Sequence, residues 1–412
     1  MKNYFSARTP SFDAAAIKQT IQRALASAGL DTTSGPMQGV AKTIRRALSS
    51  AGTGQAAQRV EGKSVIDVAA RIVPAGENGH AAAKPDSTIG QVQRPGSFEA
   101  HEFSNRAGTR SYKVYVPVGT ASAPRPLMVM LHGCTQSADD FAAGTQMNRL
   151  ADEQGFLVVY PEQAAQANAS KCWNWFKPSD RLRDAGEPSL IAGIVREVAQ
   201  RHGADPQRVF VAGLSAGAAM AVVLGETYPE LFAGVGAHSG LPYGSAHDMP
   251  SALAAMKGGR SGLAGLKSLP GASARPGGKA TQAVPVIVFH GDRDHTVQIT
   301  NGAQIVQQAH AAHAAPAAPA APAAQAAQAA QAGGATLRMS MQDGVASGGR
   351  HYRRTVHANA AGQACIEWWT VQGAGHAWSG GHASGSFTDG AGPDASAEMT
   401  RFFLALPCAG SA

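Results

Sequence analysis

The sequence predicts an α/β protein, a largely parallel sheet with helices on both faces, preceded by a helical N-terminal extension. Three observations carry this. From about residue 96 onward, apolar β-rich runs alternate with helix-length stretches, the pattern of a sheet built from strand–helix–strand units. One of those runs, Arg208–Ala212, passes through Gly213-Leu-Ser-Ala-Gly217 straight into an apolar helix. The formal charge of +7 is concentrated at the beginning of the 412-residue chain. Residues 1–94 hold 12 basic and 6 acidic residues, leaving 23 of the 35 basic and 22 of the 28 acidic ones for a nearly neutral remainder. A neutral body has no electrostatic footprint for a phosphate backbone, so nucleic acid is excluded as its partner.

The first element is a repeat. Thr20-Ile-Gln-Arg-Ala-Leu-Ala-Ser-Ala-Gly29 returns as Thr43-Ile-Arg-Arg-Ala-Leu-Ser-Ser-Ala-Gly52, identical at eight of ten positions. Ile and Leu four apart and a terminal Gly able to take a left-handed cap predict two short amphipathic helices, a hairpin over residues 1–52. Arg23, Arg45 and Arg46 border the apolar stripe, so the hairpin could dock on a membrane or a hydrophobic granule; a solvated appendage is the plainer reading. Residues 53–95, rich in Gly, Ala and Gln, predict a mostly disordered linker, and the folded domain is expected over 96–407. Strands are expected at Tyr112–Val118, Leu127–Leu131, Phe156–Tyr160, Val209–Ala212, Gly234–Ala237, Val284–His290 and Ile366–Val371. Helices are expected near Asp139–Gln154, Ser189–His202, Ala216–Thr227, Thr300–Ala309 and Ala395–Leu406. Two stretches break the alternation, the Gly/Ser/Pro-rich 258–279 and the Pro-Ala-Ala then Gln-Ala-Ala tract 311–334, and both predict surface insertions.

Apolar runs such as Pro126–Leu131 fall far short of the ~20 residues a membrane span needs, which predicts a soluble protein. Met1–Lys18 is interrupted by Asn3, Ser6, Arg8, Thr9, Ser11 and Asp13, so no export signal is expected. Cys134, Cys172, Cys365 and Cys408 are too few for a disulfide scaffold and lack metal spacing, and one or two bridges or none are compatible with them.

The chemistry is concentrated where strand meets helix. A strand–turn–helix elbow with Gly two before and two after a Ser turns the backbone sharply and exposes the hydroxyl, which makes Ser215 the candidate nucleophile; a tight structural turn is the bland alternative. A serine hydroxyl needs a histidine to take its proton, and the imidazole needs a carboxylate to fix its tautomer. Asp294 sits on the loop after Val286–Gly291 and is preferred over Asp292, which falls in the turn itself where Asp is common for backbone reasons. His376 lies in the glycine loop after Ile366–Val371. The order Ser, Asp, His is that of the α/β-hydrolase fold. Leu131-His-Gly-Cys134-Thr-Gln136 follows an early strand, so the backbone N–H groups of Cys134 and Ala216 are assigned to the oxyanion hole. Cys134 also reads as a small buried residue or half of a bridge. Trp175 and Trp378 are candidates for substrate contact, with packing as the alternative. His238, His290, His295, His310, His313, His351, His357 and His382 show no metal spacing and read as surface or loop residues. No Walker loop, dinucleotide fingerprint or kinase signature is present, so no cofactor and no metal are expected.

Leu131-His-Gly-Cys-Thr-Gln136, Cys172-Trp-Asn-Trp-Phe176 with Gly186-Glu-Pro-Ser-Leu-Ile-Ala-Gly193, Ala212–Gly217 and Gly375-His-Ala-Trp-Ser-Gly-Gly381 together resemble the polyhydroxybutyrate depolymerase-type esterases, over about residues 97–407. The resemblance implies a cofactor-free serine esterase of α/β-hydrolase fold, with Ser215, Asp294 and His376 as triad and Cys134 at the oxyanion hole. It implies a hydroxyalkanoate ester as substrate, with a feruloyl or acetylxylan ester as the enzymatic alternative and an extracellular setting. The chain departs from the polymer-degrading pattern in having no recognisable export signal, which makes a cytoplasmic setting the alternative. It also shows no substrate-binding domain after Leu406 and carries an added N-terminus. Soluble oligomer or other small esters are thereby expected alongside the polymer. A reading from a different class is a non-catalytic hydrolase-fold binding protein, against which the intact Ser, Asp and His stand.

Overall fold

The computed structural model describes residues 96–119, 123–258, 283–314 and 337–407. The expected hairpin 1–52, the linker 53–95, most of both expected insertions and Cys408 lie outside the described residues. In chain order the strands are β1 (Ser97–Asn105), β2 (Gly108–Val116), β3 (Arg125–Leu131), β4 (Leu157–Pro161), β5 (Ala204–Leu214), β6 (Gly234–His238), β7 (Val286–Gly291), β8 (Arg338–Val345), β9 (His351–Ala358) and β10 (Ala364–Val371). They form one ten-stranded sheet in the order β1-β2-β4-β3-β5-β6-β7-β10-β9-β8. β4, β3, β5, β6, β7 and β10 run parallel, and the flanking β1–β2 and β9–β8 pairs are antiparallel. A parallel core puts the carboxyl ends of all six strands on one edge, where loops are free to carry side chains for chemistry.

The helices are α1 (Ala138–Thr145), α2 (Met147–Gln154), α3 (Gly186–His202), α4 (Ala216–Thr227), α5 (Met249–Met256), α6 (Thr300–Ala314) and α7 (Ala395–Leu404). Period-two alternation divides the core into two layers. Leu127, Val129 and Leu131 of β3 and Val209 and Val211 of β5 face the layer of α3, α4 and α6. Met128, Met130, Phe210 and Ala212 face the layer of α1, α2 and α7. Strands buried on both faces read as continuous apolar runs, which is why the central ones were visible in the sequence. The observed arrangement is the α/β-hydrolase sheet. Among the described residues no helix is long and apolar enough to cross a membrane.

The structure corrects several expectations. The single helix expected over 139–154 is two, because Gln146 adopts φ 55° and closes α1 while opening α2. β1, β8, β9 and α5 were not anticipated. β1 and β8 lie at the sheet edges with mostly exposed side chains, so neither shows buried alternation. α5 did announce itself, in an Asp248/Ser251 capping box with Pro250 in the first turn. The 311–334 tract is not wholly an insertion, since α6 runs on to Ala314.

Candidate active site

β5 delivers Ser215 to the carboxyl edge of the sheet. Ser215 has φ 58° and ψ −118°, a conformation of the kind that favours glycine and is retained at functional turns. Its neighbours permit the bend only because they lack side chains. A Cβ on Gly213 would lie 2.5 Å from the carbonyl carbon of Gly217, and one on Gly217 would lie 2.1 Å from the Leu131 oxygen. The Ser215 N–H donates to the His238 carbonyl at 2.9 Å, which fixes the turn to β6. Ser215 is 8% exposed, and its hydroxyl makes no hydrogen bond among the described residues, leaving it available to an incoming group.

Two strands away, the parallel ladder sets Thr370 of β10 opposite His290 of β7 and Val371 opposite Gly291, so the loops that follow emerge side by side. His376 Nδ1 donates to Asp294 Oδ2 at 2.7 Å across 82 residues of chain. The other carboxylate oxygen, Oδ1, accepts from the Thr296 and Val297 N–H groups at 2.9 and 2.8 Å. Burial alone would raise the Asp294 carboxyl; the hydrogen bond and charge of His376, with the backbone donors, outweigh it and hold the group below the usual carboxylate range. The rival Asp292 is used structurally, accepting from the Gly373 N–H at 2.6 Å. With Nδ1–H committed to Asp294, His376 presents Nε2 as a lone-pair acceptor, a tautomer assigned from this hydrogen bond.

The Leu131–Gln136 loop leaves β3 beside the elbow. Cys134 is bonded to Cys172, so the bridge left open by the sequence is present, and Cys365 is free and buried. Gly133 N–H donates to Gln136 Oε1 at 2.9 Å, and the Thr135 N–H donates to the Ser170 carbonyl at 2.7 Å. Between them, the Cys134 N–H has no acceptor among the described residues. Ala216 is the first residue of α4, whose opening N–H groups have no intrahelical partner. The opening N–H of α4 thus follows Ser215 directly, and the Cys134 N–H lies on the loop that leaves β3 where Leu131 and His132 abut Gly217.

Two histidines taken for surface or loop residues are in fact buried under this site. His238 Nε2 accepts from the Ser379 N–H at 2.9 Å, and its ring stacks on Phe289 and Trp378 at centroid distances of 5.8 and 5.1 Å. Burial pushes its pKa down to about 3. It is a neutral strut tying the Ser215 turn to the loop after His376. His290 Nε2 donates to the Val297 carbonyl at 2.8 Å and stands 3.5 Å from Asp294 Oδ2. His238 is bonded at both ring nitrogens, Nδ1 to Ser239 Oγ and Nε2 to the Ser379 N–H, whereas His290 leaves Nδ1 buried with no partner among the described residues, contexts invisible in sequence spacing. Trp378 is 1% exposed, with Phe141 edge-on at 5.4 Å and Nε1 donating to Ser396 Oγ. It packs beneath the site and has no free surface for the expected substrate contact. Trp175 is also buried, edge-on to Phe176. Among the described residues no His, Cys, Asp or Glu group is arranged to hold a metal ion.

A family model described as esterase PHB depolymerase matches residues 110–331. Poly(3-hydroxyalkanoate) depolymerase C of Paucimonas lemoignei is 37% identical over 212 residues, 51% of this chain and 50% of that protein. Acetylxylan esterase A of Aspergillus oryzae is 34% identical over 166 residues, 39% of this chain and 53% of the relative. Feruloyl esterase B of Neurospora crassa is 37% identical over 141 residues, 34% and 47%. The chain spans about half the length of the curated relatives it matches. Among solved structures, an acetyl xylan esterase from Aspergillus awamori aligns with a TM-score of 0.49 at 19% identity, covering 74% of this chain and 99% of that one.

Proposed function

The chain belongs to the esterase PHB depolymerase family, and from that premise we propose that it is a serine carboxylic ester hydrolase working through an acyl-enzyme at Ser215, Asp294 and His376. The observation that carries the reading is the strained elbow holding a free hydroxyl on the same sheet edge as the 2.7 Å Asp294–His376 pair. Ser215 Oγ attacks the ester carbonyl carbon while its proton passes to His376 Nε2. The carbonyl electron pair moves onto oxygen, where the N–H groups of Cys134 and Ala216 receive it. Collapse breaks the bond to the leaving alcohol, which takes the proton from Nε2. Water then repeats the sequence on the acyl-enzyme, releasing the acid and restoring Ser215. Asp294, ionised at neutral pH, stabilises the imidazolium that exists at both steps.

The substrate class we favour is a hydroxyalkanoate ester, since the depolymerase relative matches a longer stretch of this chain than the acetylxylan and feruloyl esterases do. Those two define the second reading. Rates on 3-hydroxybutyrate oligomers, methyl ferulate and acetylated xylan separate them: fastest turnover of the oligomers is expected, and turnover of only the aromatic or sugar ester reverses the order. A fluorophosphonate probe is expected to label the 213–217 peptide stoichiometrically; no adduct there refutes the nucleophile and favours the non-catalytic binder. Contact with insoluble polyester through residues 1–52 is part of the proposal, and unchanged pelleting with polymer particles after their removal would end it.

A further inference from the structure

We infer that Glu187 is a positioning residue for the oxyanion hole, acting through the 163–174 segment that holds the Cys134 loop; the inference rests on the ester-hydrolase reading above. Glu187 lies in the first turn of α3 and is 3% exposed. Its Oε1 accepts from Arg110 Nη2 at 3.1 Å, Gln163 Nε2 at 2.5 Å and Asn174 Nδ2 at 2.6 Å. Its Oε2 accepts from the Asn174 N–H at 2.7 Å. All four partners are donors, so the site is built for a carboxylate and no neutral side chain of the same shape can accept from all of them. Burying a charge is costly and seldom gains net stability over apolar packing, which makes its placement informative.

Three of those four bonds fall on a segment whose contacts converge on the loop carrying Cys134. Gln163 Nε2 also donates to the Cys172 carbonyl at 2.9 Å, and Cys172 is bonded to Cys134. The Gln163 N–H donates to His132 Nε2 at 3.0 Å, and Trp173 Nε1 donates to the His132 carbonyl at 3.2 Å. His132 in turn donates from Nδ1 to the Gly133 carbonyl at 2.7 Å. With Ser170 receiving the Thr135 N–H, the loop is tied on either side of Cys134. The fourth bond, from Arg110 on β2, anchors the carboxylate to the sheet. A displacement of Glu187 therefore reaches the Cys134 N–H through two residues and a covalent bridge, without touching Ser215, Asp294 or His376.

The test is Glu187→Gln in the full chain, with active sites counted by fluorophosphonate titration. The amide NH2 would face donors, so the segment should shift. A kcat per titrated site lower by roughly 10–100-fold is expected, part of the loss seen when one oxyanion donor is removed, with KM within about twofold because the ground-state ester does not use the hole. A trifluoromethyl ketone, whose adduct places an oxyanion there, should lose affinity by the same factor as kcat/KM. If Glu187→Gln does not fold, Asn174→Ala, which deletes one donor and leaves the Arg110 pairing, should show the same pattern at smaller size. A lowered melting temperature with unchanged kcat per site and unchanged ketone affinity overturns the inference and leaves ester hydrolysis standing. A wild-type chain that neither turns over esters nor takes the probe overturns both.

Discussion

Ser215 occupies φ 58° and ψ −118°, a conformation that costs a non-glycine residue on the order of 1–3 kcal/mol. Ser215→Gly should therefore abolish ester hydrolysis while raising the thermal midpoint, the relief of strain exceeding the extra chain entropy of glycine, roughly 0.5–1 kcal/mol. A variant melting at or below wild type would show that the turn is unstrained. Asp294→Asn should leave the fold intact and lower kcat by roughly 10³–10⁴-fold, because the amide no longer fixes the His376 tautomer; steady-state kinetics on a soluble ester reads this directly, and a loss under tenfold would remove Asp294 from the mechanism. The placement of Asp294 beside His376 was legible because the nearer carboxylate, Asp292, falls in the turn itself, where Asp serves the backbone, and there it accepts from the Gly373 N–H. The roles of His238 and His290 were not, because both depend on backbone partners contributed by Ser379 and Val297, remote or loop-borne groups that no local pattern displays.

Among the elements, the loop between β3 and α1 depends most on a distant partner. The Cys134–Cys172 bond closes a sequence separation of 38 residues, and a bridge of this span typically contributes roughly 2–4 kcal/mol. Reduction with dithiothreitol should lower the urea midpoint and, in the fraction still folded, reduce kcat more than it changes KM, since the bridge holds the loop whose Cys134 N–H we propose as an oxyanion donor. Retained kcat after verified reduction would assign the bridge to stability alone. The central strands β3, β4, β5 and β7 were legible as apolar runs because they are buried on both faces. β8 was not: Met339, Met341 and Val345 are more than half exposed, and an edge strand open to solvent need show no period at all. The kink that separates α1 from α2 rests on Gln146 in a left-handed conformation, where sequence rules look for glycine or asparagine.

Across the whole molecule, buried imidazoles set the response to acid. His238 titrates near 6.5 when unfolded and about 3 when folded, so as the pH falls through 6.5 the unfolded chain binds a proton that the native chain does not. Its contribution is complete above about 6.5 and is lost progressively down to about 3, on the order of 5 kcal/mol in all. His132 and His290, also pushed down by burial, act in the same direction. Asp294 and Glu367 are held below the ordinary carboxylate range, so their stabilisation is present above about 4 and fades further into acid. Urea midpoints are expected to fall between pH 7.5 and 5, with a shallower fall for His238→Gln; a flat profile over that range would contradict the burial of neutral imidazole. A different consequence follows from the direct pairing of β7 with β10. After Asp294 the chain departs through α6 to build the β8–β9 hairpin on the outer flank, and only its last strand, β10, returns to pair with β7 and carry the loop of His376. A reporter or binding module spliced between Ala314 and Leu337 is therefore expected to leave the β7–β10 rungs that align Asp294 with His376 in place, and loss of fluorophosphonate labelling in such a chain would contradict it.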